Sequence, residues 1–180
     1  GFFEEAGHRV VDLSLPRASE ALSTYYILAP AEASSNLARF DGMRFGQRRE
    51  GGGLKESYQA SREAGFGREV KRRILLGTYL LSSGYYEDFY VKAQAVRELL
   101  RADFARAFER CDVLLGPSAP TTAFGLGERV GDPLAMYASD VHTLPASLAG
   151  LPAITIPCGA DGAGLPIGLQ LTGQSFDEPG

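Results

Sequence analysis

Apolar side chains recur at three- and four-residue steps from Phe89 through Ala93, Val96, Leu100, Phe104, Ala107 and Phe108 to Cys111. That spacing lays them on one face of a helix, so the pattern predicts a helix from about Tyr85 to Arg110 with one buried stripe. Glu87 and Asp88 fall in its first turn and Arg106 and Arg110 in its last, the polarity that complements the helix dipole. The pattern then changes. Asp112-Val113-Leu114-Leu115-Gly116-Pro117 and Ala153-Ile154-Thr155-Ile156-Pro157 are short apolar runs stopped by Gly or Pro, as expected of inner strands in a covered sheet. Leu165 to Gly173 makes another strand, joined to the run at Ile154 by the turn-rich segment Gly159 to Gly164, so these two are expected to pair antiparallel.

The first half is less regular. His8 to Leu15 alternates imperfectly and ends at Pro16, which predicts a strand. From Arg17 to Arg39 the chain is rich in Ala, Leu and Ser and is interrupted by Pro30, which predicts two helices, the second capped near Ser34. Gly51-Gly52-Gly53 marks a flexible loop. Helices followed by strands predict an α/β fold, a mixed sheet covered by helices.

Composition narrows the class. The 180 residues, 44% of them hydrophobic, can bury a substantial core, and no run approaches the apolar length of a membrane span. Both ends read as cuts, so a fragment of a single larger domain, spanning residues 1–180, is expected. Fifteen Arg and three Lys are scattered among 22 acidic residues, for a net charge of −4, which argues against a nucleic-acid groove on this chain. Cys111 and Cys158 lack metal or redox spacing and suit a reducing compartment such as the cytoplasm.

No reaction emerges from spacing alone. A hydrolase needs a nucleophile, a base and an oxyanion cradle. His8 and His142 are the only imidazoles; His8 reads as a surface or strand-edge residue and His142 as structural. Ser82-Ser83-Gly84 resembles a catalytic serine-glycine loop but sits between helical segments, where a serine more often caps a helix end. GxSxG, P-loop, HExxH and GxGxxG patterns are absent from the sequence.

Longer strings carry more. They include Tyr25-Tyr26-Ile27-Leu28, the run from Glu32 to Gly46 (EASSNLARFDGMRFG), the run from Gly65 to Tyr79 continuing through Ser82-Ser83-Gly84-Tyr85-Tyr86, and Gly116 to Phe124. Asp132 to Asp140 and Leu148-Ala149-Gly150-Leu151-Pro152 through Gly168-Leu169-Gln170 complete the set. In order and spacing these resemble the C-terminal portion of the amidase signature family, in its branch of glutaminase subunits of tRNA-dependent amidotransferases. The late strand strings are shared by amidases generally, whereas the strings around Arg39 and Arg73 point to that branch.

The resemblance implies a protein that hydrolyses glutamine and passes ammonia to a partner, which amidates Glu or Asp carried on tRNA. It implies the B and C subunits of such an amidotransferase as partners, contact with tRNA only through the complex, and no cofactor in this chain, ATP and magnesium being used by the partner. It also implies a Ser-Ser-Lys catalytic group in a segment that nothing here matches, so no catalytic residue is assigned and the isolated chain is expected to be inactive; it is also expected to be poorly stable alone, because the strands at Val113 and Ile154 need neighbours. Carried over by position, Tyr25 resembles a pocket-wall tyrosine, Arg73 the arginine that grips the α-carboxylate, and Asp140 the acid that receives the α-ammonium. A general amidase and an inert partner-docking fragment are the alternatives.

Overall fold

The computed structural model describes residues 1–178. The chain divides into two compact units, one formed by Thr24–Ala95 and the other by Gly1–Ser23 with Val96–Gly180.

In the unit Thr24–Ala95, helix α2 (Ala21–Asn36) runs through Pro30 and tightens into a 3₁₀ turn at Leu37–Arg39. The expected break at Pro30 does not occur, and Ser34 is no cap: its hydroxyl donates to the Ala31 carbonyl at 2.8 Å. Proline inside a helix costs about 3 kcal/mol through its missing N–H and ring clash. Burial outweighs that here. Pro30 is fully buried, and α4 (Arg68–Leu80) crosses so close that a Cβ added to Gly77 would lie 1.9 Å from the Pro30 carbonyl oxygen. Only glycine permits that approach.

Between them, α3 (Leu54–Gly65) carries two buried serines that fasten the glycine-rich loop. Ser57 Oγ accepts from the Gly51 N–H at 2.9 Å; Ser61 Oγ accepts from the Arg49 N–H at 2.8 Å and donates to the Ser57 carbonyl at 2.7 Å. The loop expected to be flexible is thus tied to α3 where it begins, at Arg49 and Gly51.

The long predicted helix is two elements, a π-helical turn at Tyr86–Val91 followed by α5 (Lys92–Phe108). A π turn is wider than an α turn and rotates everything before it around the axis. Phe89 therefore leaves the stripe and is 40% exposed, while Ala93, Leu100, Phe104 and Ala107 stay buried as the spacing predicts.

In the other unit, α1 (Phe2–Glu5) leads into residues 8–15, which keep the alternation of exposure from Val11 to Leu15 but form no strand. The expected strand fails because no ladder partner is present among the described residues. Asp103 on α5 is buried and accepts from the Arg17 N–H at 2.8 Å and from the Arg106 guanidinium, anchoring the start of this unit to its long helix. Strands β1 (Leu114–Pro117), β2 (Ala153–Ala160) and β3 (Pro166–Thr172) form a sheet in the order β1-β3-β2. Both pairings are antiparallel, including the expected β2–β3 pair, with Ile154 opposite Leu171 and Ile156 opposite Leu169.

The two apolar runs expected to be inner strands are instead the edges of this sheet, and the later strand is its centre. Every residue of β2 is exposed and Ile154 is 60% exposed, because among the described residues β2 pairs only with β3 and no helix covers it. Two short helices, α6 (Pro133–Ala138) and α7 (Leu144–Ala149), link β1 to β2. Asp132 caps α6 by accepting from the Leu134 and Ala135 N–H groups, with Pro133 opening the helix. Gly150, at φ 74°, ends α7 in the left-handed conformation and releases the chain into β2.

Candidate functional site

Arg73 lies mid-way along α4, one turn before Gly77 on the same face. Tyr26 precedes Pro30 by one turn on α2. The close crossing at Gly77 and Pro30 therefore delivers Arg73 to the Tyr25-Tyr26 pair. Arg73 Nη1 donates to the Tyr25 hydroxyl at 3.2 Å, and the guanidinium carbon lies 5.9 Å and 5.6 Å from the ring centres of Tyr25 and Tyr26. The two rings meet edge to face at 5.1 Å. Both distances to the guanidinium are within cation–π range.

From the other side, Arg73 Nε donates to Glu69 at 3.0 Å. The Arg73 side chain is 28% exposed. Partial burial opposes its charge, but the hydrogen bonds to Tyr25 and Glu69 outweigh that penalty and hold the guanidinium's pKa above its ordinary value. The group is a permanent cation, mounted on aromatic faces, with its Nε and Nη1 edges already oriented. Such a fork suits a carboxylate, which it can meet with parallel hydrogen bonds.

Tyr25 and Arg73 thus meet within one unit. Asp140 belongs to the other unit, in the turn between α6 and α7. Its backbone is tightly held: its carbonyl accepts from the N–H groups of Thr143 and Leu144 at 3.0 Å and 3.1 Å and from the Thr143 hydroxyl at 3.0 Å. Its carboxylate is exposed and makes no hydrogen bond or ion pair among the described residues.

The sequence reading missed several contributors. Glu69 was available from its i, i+4 spacing to Arg73, which puts both on one helix face. Tyr26 was visible only as the neighbour of Tyr25, and nothing local distinguishes Gly77 from any other helical glycine. Ser82 does end a helix, but on the carbonyl side: its hydroxyl donates to the Tyr79 carbonyl at 2.6 Å instead of capping an N–H. His8 is exposed and touches only the Phe3 ring edge in its aromatic contacts, 6.2 Å between centres. A groove of about 600 Å³ lined by Arg68, Lys71, Arg72, Leu75 and Leu76 runs along another face of α4 and does not include Arg73. Among the described residues no cluster of His, Cys, Asp and Glu could hold a metal ion, and no helix is long and apolar enough to cross a membrane.

Comparison with known proteins places these residues in a wider setting. The amidase family profile matches residues 2–180. The A subunit of the glutamyl-tRNA(Gln) amidotransferase of Zymomonas mobilis is 58% identical over 177 residues, covering 97% of this chain and 36% of that protein. The protein of the same name from Rubrobacter xylanophilus is 61% identical over 176 residues, covering 98% of this chain and 36% of that protein. The chain thus spans about a third of the length of these relatives. Among solved structures, the corresponding A subunit of Thermotoga maritima glutamyl-tRNA(Gln) amidotransferase superposes with a TM-score of 0.61 at 39% identity, covering 90% of this chain and 30% of that one. A crystal structure of an amidase superposes with a TM-score of 0.69 at 26% identity, covering 98% of this chain and 36% of that one.

Proposed function

This chain belongs to the amidase family, and from that premise we propose that it forms the glutamine-holding part of a glutaminase subunit in a tRNA-dependent amidotransferase. The observation that carries the reading is the Arg73 guanidinium, kept cationic and aimed by Tyr25, Tyr26 and Glu69. An amino acid substrate carries opposite charges on one carbon. Arg73 takes the α-carboxylate, Asp140 takes the α-ammonium, and Tyr25 walls the pocket. Glu69 neutralises Arg73 while the pocket is empty and yields part of the fork when a carboxylate arrives. The high identity to relatives named as amidotransferase A subunits supports glutamine over other amides.

In this reading the hydrolytic serine and lysine come from the portion of such proteins that these residues do not span. Ammonia then passes to a partner, the amidotransferase's B subunit, which uses ATP and magnesium to amidate Glu or Asp on tRNA, and the small C subunit completes the complex. The chain's own residues contribute binding and orientation, which fix the side-chain amide relative to the nucleophile.

The test uses the full-length protein with its partner subunits. Arg73→Ala removes a charged contact from a partly exposed group, at the low end of the 2–5 kcal/mol range, about 2 kcal/mol or roughly 30-fold in the KM for glutamine. Amidation driven by free ammonium bypasses glutamine and keeps its rate. An unchanged glutamine KM in Arg73→Ala refutes the assignment.

A further inference from the structure

The turn that presents Asp140 is gripped from outside. Arg129 Nη1 donates to the hydroxyl of Ser139, the residue before Asp140, at 2.6 Å, and Nη2 reaches the Thr121 hydroxyl at 3.5 Å. The same guanidinium lies over the Phe124 ring, 4.1 Å from its centre. Arg129 forms no ion pair among the described residues. An arginine that spends both ends of its fork on neutral hydroxyls and its face on a ring acts as a brace between the segment Thr121–Phe124 and the end of α6. Ser139 in turn donates to the Ala135 carbonyl at 3.3 Å, so the brace is fastened to the helix itself.

On its other side Asp140 is held to the start of α7 by the bonds its carbonyl accepts from Thr143 and Leu144. The α7 side is local and independent of other loops. The α6 side has local bonds as well, the Asp140 N–H donating to the Tyr137 carbonyl at 3.1 Å, and Arg129 adds the one side-chain contact to Ser139 from outside the helix among the described residues. We infer that Arg129 is a positioning residue for the ammonium of an α-amino acid substrate, acting through Ser139 to fix where the Asp140 carboxylate stands. This rests on the assignment of Asp140 to that ammonium.

The experiment therefore measures Asp140 directly as well. In the full-length protein with its partner subunits, kcat/KM is determined for glutamine and for glutaramate, which is glutamine lacking the α-amino group. The ratio of the two reports recognition of the ammonium alone, and general loss of folded protein cancels from it. Asp140→Asn is expected to lower the ratio strongly, and Arg129→Ala to lower it about tenfold, the value of one charge-assisted hydrogen bond. Ser139→Ala should move it in the same direction. Arg129→Lys should recover part of the loss, because an ammonium can reach Ser139 but cannot span two hydroxyls and stack on Phe124. The double variant Arg129→Ala/Asp140→Asn should match Asp140→Asn alone.

If Arg129→Ala keeps the wild-type ratio while Asp140→Asn loses it, the positioning role is overturned and the pocket reading stands. A ratio unchanged in Asp140→Asn overturns both. Losses that multiply in the double variant show Arg129 acting independently of Asp140 and also overturn the inference. Should Arg129→Ala fail to fold, Arg129→Lys and Ser139→Ala decide it by the same ratio.

Discussion

Gly77→Ala tests the link between packing and chemistry in the unit that holds Arg73. A Cβ at this position would stand 1.9 Å from the Pro30 carbonyl oxygen, 2.5 Å from its carbonyl carbon and 2.9 Å from Ser34 Cβ. Carbon contacts rest at about 3.5 Å or beyond. Two of the three obstructing atoms are backbone, so no rotamer change relieves the clash and α2 and α4 must separate. Overpacking of this kind costs about 1–3 kcal/mol, whereas Gly→Ala in a helix gains only about 1 kcal/mol of propensity. With backbone atoms in the way the cost lies at the upper end, about 3 kcal/mol, so packing wins by about 2 kcal/mol. The same separation would stretch the bond from Arg73 to Tyr25, already 3.2 Å, beyond hydrogen-bonding range. Two readouts follow in the full-length protein: a thermal midpoint lowered by a few degrees, and a raised KM for glutamine. Gly65→Ala is the control, since a Cβ there meets nothing within 4 Å and the change should be neutral or slightly stabilising. A Gly77→Ala protein as stable as wild type with unchanged KM would refute the argument.

Ser61→Ala should destabilise by about 1 kcal/mol, because it leaves the Arg49 N–H without the acceptor it has at 2.8 Å at a partly buried site; chemical denaturation reads it, and hydrogen exchange should rise at Arg49. Asp132→Ala should cost about 1 kcal/mol through loss of the α6 cap, seen as a lower midpoint with Asp132→Asn as a near-neutral control. Asp161 has its carboxyl pKa held below the ordinary carboxylate range by the Thr122 hydroxyl first, at 2.6 Å, and then by backbone N–H groups at Leu165 and Ala163. A depressed pKa contributes stability that is present above the ordinary carboxylate value of about 3.9 and is lost as pH falls through the lowered folded value. Thr122→Val should therefore be less stable than wild type near pH 7, with the gap closing as pH falls below about 4; a gap independent of pH would refute the linkage.

What the sequence determined by itself was local and periodic. The buried run Ala93, Leu100, Phe104 and Ala107 follows from three- and four-residue spacing within one element, and the β2–β3 pairing follows from two apolar runs separated by a turn. The strings around Tyr25, Arg73 and Asp140 carried the family and singled those residues out. What tertiary structure alone decided depends on residues far apart in the chain. Pro30 stays inside a helix because Gly77 packs against its carbonyl, and that crossing delivers Arg73 to Tyr25. The segment 8–15 keeps its alternation without becoming a strand, since a strand needs a ladder partner that no local pattern supplies. Even over a short separation, Arg129 meets Ser139, Thr121 and Phe124 across turns whose geometry no helical or strand period describes. Periodicity reports which side of an element is buried, whereas the identity of the atoms waiting there is settled only when the chain closes on itself.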